Sequence, residues 1–156
     1  MRTRVHVLLV VLMAVPWREG AAQSSARDSV LSTLERVFVA MRARDTTGVR
    51  AEFDSTARLI GMPDTASQPR PPQTVSQFLT GLATTPPDGA FDERMYDPEV
   101  RIDGPIAQVW TYYTFRRGGT FSHCGTDAVT LMRSGGAWRI VSFVWTVRRT
   151  GCTRIE

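Results

Sequence analysis

Hydrophobic positions in the first third of the chain recur at intervals of three and four. In "ARDSVLSTLERVFVAMRAR", residues 26–44, Val30, Leu34, Val37 and Met41 stand at helical spacing, and Leu31 and Phe38 widen the stripe. The pattern predicts a long amphipathic first helix. In the following "RDTTGVRAEF", Asp45, Thr46 or Thr47 can serve as N-cap, with Val49 and Phe53 as the buried positions of a short second helix. "STARLIGM" reads as a brief strand. "MPDTASQPRPPQ", Met62 to Gln73, is rich in proline and small polar residues and reads as a connection inside one domain. Val75, Phe78, Leu79 and Leu82 then mark a third helix, ended by "TTPPDG".

From Phe91 the period changes. Runs rich in Val, Ile, Tyr, Trp and Thr, separated by "DGP", "RGG" and "SGG", predict strands near 92–102, 105–116, 120–133 and 137–148. The short turns make neighbours antiparallel. Helices first and a strand meander afterwards define an α+β domain with the helices on one sheet face. Alternation places Trp110 and Tyr112 on one face and Val109, Tyr113 and Phe115 on the other. In the last strand it places Trp138, Ile140 and Val144 opposite Val141, Phe143, Trp145 and Val147. Both faces are substantially apolar, so one is expected on the helices and the other against a second copy across a two-fold axis.

The N-terminus changes the picture of compartment. Arg2 and Arg4, the apolar run Val5 to Val15, and the small residues Gly20, Ala21 and Ala22 together make a secretory signal peptide, with cleavage expected after Ala22. The apolar run is well short of the ~20 residues of a permanent membrane helix, so no membrane association is expected after cleavage. The domain assignment is therefore 1–22 signal peptide and 23–156 a single domain, exported to the periplasm or the outside. Loss of Arg2, Arg4, Arg18 and Glu19 lowers the net charge from +4 to about +2. The basic residues are all arginine and scattered, which argues against nucleic acid as a partner.

The helix order, the motif "FVAMRARDTTGVRAEFDSTARLIG" and the closing "GGAWRI" strand together resemble the nuclear transport factor 2-like superfamily. "DPEVRIDGPIAQVWTYYTF" followed by "FSHCGTDAV" resembles its SnoaL-like, lumazine-binding-type branch. The resemblance implies a cone-shaped fold, N-terminal helices packed on a curved antiparallel sheet, with a pocket for small apolar molecules between the concave face and the first helix. In the isomerase branch, a tyrosine on the first helix, a carboxylate base on the first strand and a protonated acid on the penultimate strand do the chemistry. Here those positions fall at Val37 or Phe38, at Gly61, and at Asp127. Only the third can carry a proton, which argues against that mechanism.

Candidate chemistry concentrates in "FSHCGTD". With Gly135 and Gly136 as a two-residue turn, Asp127 pairs with Val144 and shares the face of Trp138 and Ile140. A carboxylate there has a raised pKa or a donor. It is either a pocket acid or a carboxylate satisfied by an arginine or the backbone. His123, the one histidine left after cleavage, is either a general base or a loop residue bonded to backbone. His123, Cys124 and Asp127 lack the ligand number and spacing of a zinc site, and neither metal nor cofactor is expected. Cys124 and Cys152 form an even pair in an exported chain, which favours a disulfide. On this register Cys124 lies opposite Val147, so the chain must turn back at Gly151 or the register must shift. A Cys124 nucleophile activated by His123 is disfavoured, because adjacent strand residues point to opposite faces.

The expectation is an exported, dimeric protein that binds a small apolar or aromatic molecule through Tyr113, Asp127 and Trp145. The alternatives are a SnoaL-like cyclase, isomerase or dehydratase using Asp127 or His123 as acid or base with Tyr113 as donor, and a structural dimerisation module with a filled cone.

Overall fold

The computed structural model describes residues 17–64, 68 and 70–155. Most of the segment assigned to the signal peptide lies outside them. Helix α1, Trp17–Ala43, begins within that segment and buries the predicted stripe of Val30, Leu34, Val37, Phe38 and Met41. It stops where Arg44 takes a positive φ of 57° and the Asp45 amide bonds back to the Ala40 carbonyl. Asp45 then caps α2, Thr46–Glu52, by accepting from the Gly48 amide at 2.9 Å. Arg36 of α1 holds α2 through a bidentate pair with Glu52 at 2.8 and 2.9 Å.

Strand β1, Phe53–Pro63, and the two-residue β2, Gln73–Thr74, lead into α3, Val75–Thr84. Thr74 and Gln77 form a capping box at the start of α3, a reciprocal pairing that satisfies two amides no helical carbonyl can reach. After a short 3-10 turn at Pro87–Gly89 come β3, Phe91–Asp103, β4, Ile106–Arg117, β5, Thr120–Ser134, and β6, Ala137–Val147. The six strands form one sheet in the order β2-β1-β6-β5-β4-β3. Neighbours are antiparallel except β1, which lies parallel to β6. The three helices pack on the concave face of this curved, open sheet, over Val109, Val129, Leu131, Ile140 and Phe143.

Gly135 and Gly136, at φ 58° and 82°, make the two-residue turn expected from "SGG". The register from that turn holds only as far as Leu131 opposite Ile140. A bulge at Val141 then shifts it by one, so Thr130 faces Ser142 and Asp127 faces Trp145. This corrects both the pairing of Asp127 with Val144 and the face assignment of β6. Beyond the bulge Phe143 and Trp145 join Trp138 and Ile140 on the concave side, and Val144 turns outward. Asp127 itself remains on the face of Trp138 and Ile140.

The β5–β6 ladder opens past Asp127 and closes again at a single bridge between Cys124 and Arg148. In the gap the Tyr113 hydroxyl donates to the Thr146 carbonyl at 2.7 Å, and the Thr146 hydroxyl accepts from the Thr126 amide at 3.0 Å. The Tyr113 ring reaches that carbonyl by lying across Gly125. A Cβ at Gly125 would stand 2.0 Å from the Thr146 oxygen and 2.6 Å from Tyr113 Cε1.

Cys124 and Cys152 are joined by a disulfide, with their Cα atoms 5.8 Å apart. The expected reversal occurs at Gly151, at φ 66°. It sends the tail back across the convex face of the sheet. There Thr153 exchanges two hydrogen bonds of 2.8 Å with the Tyr112 hydroxyl, and Arg154 pairs with Asp97 at 2.6 Å.

Gly125→Ala should destabilise the fold by about 3 kcal/mol in a urea titration, because backbone and a buried ring must both give way. A loss under about 1 kcal/mol would show that the β5–β6 gap is not under this constraint.

Candidate functional site

The cone is open. A cavity of about 460 Å³ lies between the concave sheet face, α1 and α3. Its walls are Met41 of α1, Phe78 of α3, Phe91 of β3, Phe115 of β4 and Trp145 of β6. Trp145 takes its position from two backbone features. The Val141 bulge turns it inward, and Gly61 of β1 lets the indole lie flat on the neighbouring strand, since a Cβ there would meet the ring at 2.8 Å. A smaller annex of about 50 Å³ continues inward between Val37, Phe53 and Phe143. Glu93 borders both spaces.

Glu93 is the residue that sequence reasoning missed. On β3 it alternates with Phe91 and Met95, opposite Phe115 and so on the concave side, and that alternation in "FDERM" was the available signal. Its carboxyl is in hydrogen-bonding contact with that of Asp127. Asp127 is 1 % exposed, and neither of its oxygens nor Glu93 Oε1 meets a donor from any other described residue. The arginine or backbone partner expected for Asp127 is absent among those residues. Two carboxyls in contact with no cation beside them cannot both ionise, so the pair retains a proton. Burial raises the pKa of Glu93 to about 8, while burial followed by the Glu93 charge raises that of Asp127 well above the usual carboxylate range.

The other expected site residues divide. Trp145 and His123 line the cavity. His123 sits within β5 rather than on a loop. It stacks on Phe115 with ring centroids 4.8 Å apart, and its Nδ1 lies 3.0 Å from Ser122 Oγ. Burial first, then the charges of Arg149, Arg70 and Arg117, lower its pKa to about 4. It is therefore neutral near pH 7 and a poor proton acceptor. Tyr113 and Asp127 do not line the cavity and lie behind Glu93. The Tyr113 hydroxyl is committed to Thr146, and burial followed by the two carboxyls raises its pKa strongly. Cys124 and Cys152 belong to the convex side and the tail. No cluster of three metal-ligating side chains occurs among the described residues.

No protein-family model matches the chain. No curated protein matches it in sequence. Solved structures do match. An NTF2-like protein with a cystatin-like fold from Novosphingobium aromaticivorans superposes with a TM-score of 0.68 at 11% identity, covering 89% of this chain and 92% of that one. An NTF-2 like protein of unknown function from Silicibacter pomeroyi gives 0.63 at 19% identity, covering 81% and 98%. A Streptomyces avermitilis protein of the NTF2-like family, provisionally named a dehydratase, gives 0.64 at 13% identity over 81% and 98%. The chain thus has the nuclear transport factor 2-like fold.

The carboxyl pair makes stability depend on pH. Unfolded glutamate titrates near 4.3, whereas folded Glu93 titrates at about 8. The folded state therefore holds a proton that the unfolded chain has released. The stability this confers is complete in acid and is lost as pH rises through about 8. His123 acts in the opposite sense, but only below its unfolded pKa of about 6.5. From about pH 6.5 to 8.5 the melting temperature by calorimetry should fall by roughly 5 °C, and Glu93→Gln should flatten that slope. A flat or rising profile for the unaltered protein would contradict the shared proton.

Proposed function

We propose that the chain is an exported small-molecule-binding protein whose ligand, apolar or aromatic in its main body, occupies the cavity against Trp145. The observation that carries this reading is the open cavity of about 460 Å³ walled by Phe78, Phe91, Phe115 and Trp145. A purely structural cone would be filled by its own side chains, and this one is not. The disulfide is compatible with an oxidising, exported environment. No helix among the described residues is long and apolar enough to cross a membrane.

A second reading, an acid–base enzyme of the SnoaL-like cyclase, isomerase or dehydratase kind, draws support from the proton held between Glu93 and Asp127. In it Glu93, which borders the cavity, is the group that meets the substrate, and burial holds it in the protonated state. Tyr113 and His123 have no direct part.

The protein also pairs with a second copy through the convex face. Ile106, Trp110 and Met132 are each about half exposed there, on adjacent strands. Glu99 and Arg101 flank Trp110 along a shallow groove. Opposite charges beside an apolar centre suit a self-complementary two-fold contact.

Planar aromatic probes such as 1-anilinonaphthalene-8-sulfonate should bind with quenching of tryptophan fluorescence, and Trp145→Ala should weaken them by about tenfold. A broad aromatic panel that neither quenches nor raises the melting temperature at millimolar concentration removes the binding reading. Protein recovered from the exporting cell should begin at Gln23 and sediment as a dimer, and Trp110→Glu should leave a folded monomer. A monomeric unaltered protein would refute the pairing.

A further inference from the structure

The cavity has two chemically opposite ends. At its mouth stand Arg70, Arg117 and Arg149, all exposed, and all near enough to bear on His123. Arg117 lies over the Phe91 ring, 5.0 Å from its centroid, and none of the three guanidiniums forms an ion pair with a described carboxylate. Three like charges converging on one opening repel one another unless an anion lies between them. The inner end is acidic. There Glu93 meets the cavity while Asp127, buried beside it, has no other hydrogen-bond partner among the described residues. Asp127 donates to Glu93 within the pair, and below about pH 8 Glu93 carries a proton of its own, so its cavity side is a neutral acid that donates to an acceptor. Between the ends the walls are aromatic.

We propose that the ligand is a flat aromatic molecule with an oxyanion at one end, held by Arg70, Arg117 and Arg149, and an uncharged acceptor such as a ketone oxygen at the other, held by Glu93. This rests on the cavity being a binding site and assigns its polarity. It also explains why the mouth holds three guanidiniums without a carboxylate partner among the described residues and the floor a protonated Glu93 without an acceptor on its cavity side. The ligand supplies both missing partners. Binding of the acceptor end is lost when Glu93 ionises. The groups facing Glu93 are Asp127 and His123 from β5, Tyr113 from β4 and, at the outer edge, Glu35 and Arg42 from α1. Arg148, just beyond β6, acts on Tyr113.

The test uses the whole mature protein and five naphthalene probes in calorimetric titration: 6-acetyl-2-naphthoate, 2-acetylnaphthalene, 2-naphthoate, 2-naphthyl phosphate and naphthalene. The keto acid should bind tightest, and deleting either polar group should cost about tenfold or more. Comparing naphthoate with naphthyl phosphate tells which oxyanion the mouth prefers. Raising pH from about 6 to 9 should weaken the two ketones and leave 2-naphthoate unchanged, a readout that needs no variant. The double substitution Arg117→Ala, Arg149→Ala should lower the ratio of keto-acid to ketone affinity about tenfold. If naphthalene and the keto acid bind alike, or the ketones show no loss by pH 9, the assigned polarity is wrong while the cavity remains a binding site. If none of the five binds at millimolar concentration, both this inference and the binding reading fall.

Discussion

The concave face of the sheet depends on a single extra residue in β6. Without the bulge at Val141, the two-residue period would carry Phe143 and Trp145 to the convex side and bring Val144 inward. The cone would then lose its largest wall, and a tryptophan would stand in solvent. With the bulge, Trp138, Ile140, Phe143 and Trp145 all face the helices, and β6 keeps polar Arg139, Ser142 and Thr146 on the outside. Gly61 completes the arrangement by giving the indole a flat place on β1. The cavity is what remains between that surface and α1.

The same strand pair sets the chemistry of the floor. Because the β5–β6 ladder opens beyond Asp127, the Thr146 carbonyl lacks a strand partner, and Tyr113 supplies one by crossing Gly125. That removes Tyr113 from the cavity and leaves Glu93 as the one described residue whose side chain engages the Asp127 carboxyl by hydrogen bonding. A buried carboxyl without a cation is costly when charged, so the pair holds a proton near neutral pH. The fold tolerates this cost at the edge of the cavity, which Glu93 borders. The exposed arginines at the mouth lie at the opposite end of the same aromatic channel.

Much of the fold was legible because it rests on local periodicity. The helical stripe from Val30 to Met41, the turn at Gly135 and Gly136, and the inward set Val109, Tyr113 and Phe115 all follow from spacing of three, four or two. The disulfide followed from cysteine count and the leader-like N-terminus, and the reversal at Gly151 that it requires is present. The site was only half legible. Asp127 and Trp145 drew notice as a carboxylate and a large aromatic in strands. Glu93 did not, because in an edge strand a glutamate ordinarily faces water. Its burial comes from α1 crossing above β3, a contact between segments about fifty residues apart.

What the sequence by itself determined, then, is everything carried by neighbours along the chain: element type, strand order through the short turns, and the chemical character of each run. The tertiary structure decided which side of the sheet each residue past Val141 faces and which acids meet in the interior. The physical reason is that a bulge costs little locally and has no composition of its own, yet it inverts every residue beyond it. The meeting of Glu93 with Asp127 likewise depends on curvature across three strands. No pattern within either strand encodes that curvature, and the packing of α1 against the sheet settles it.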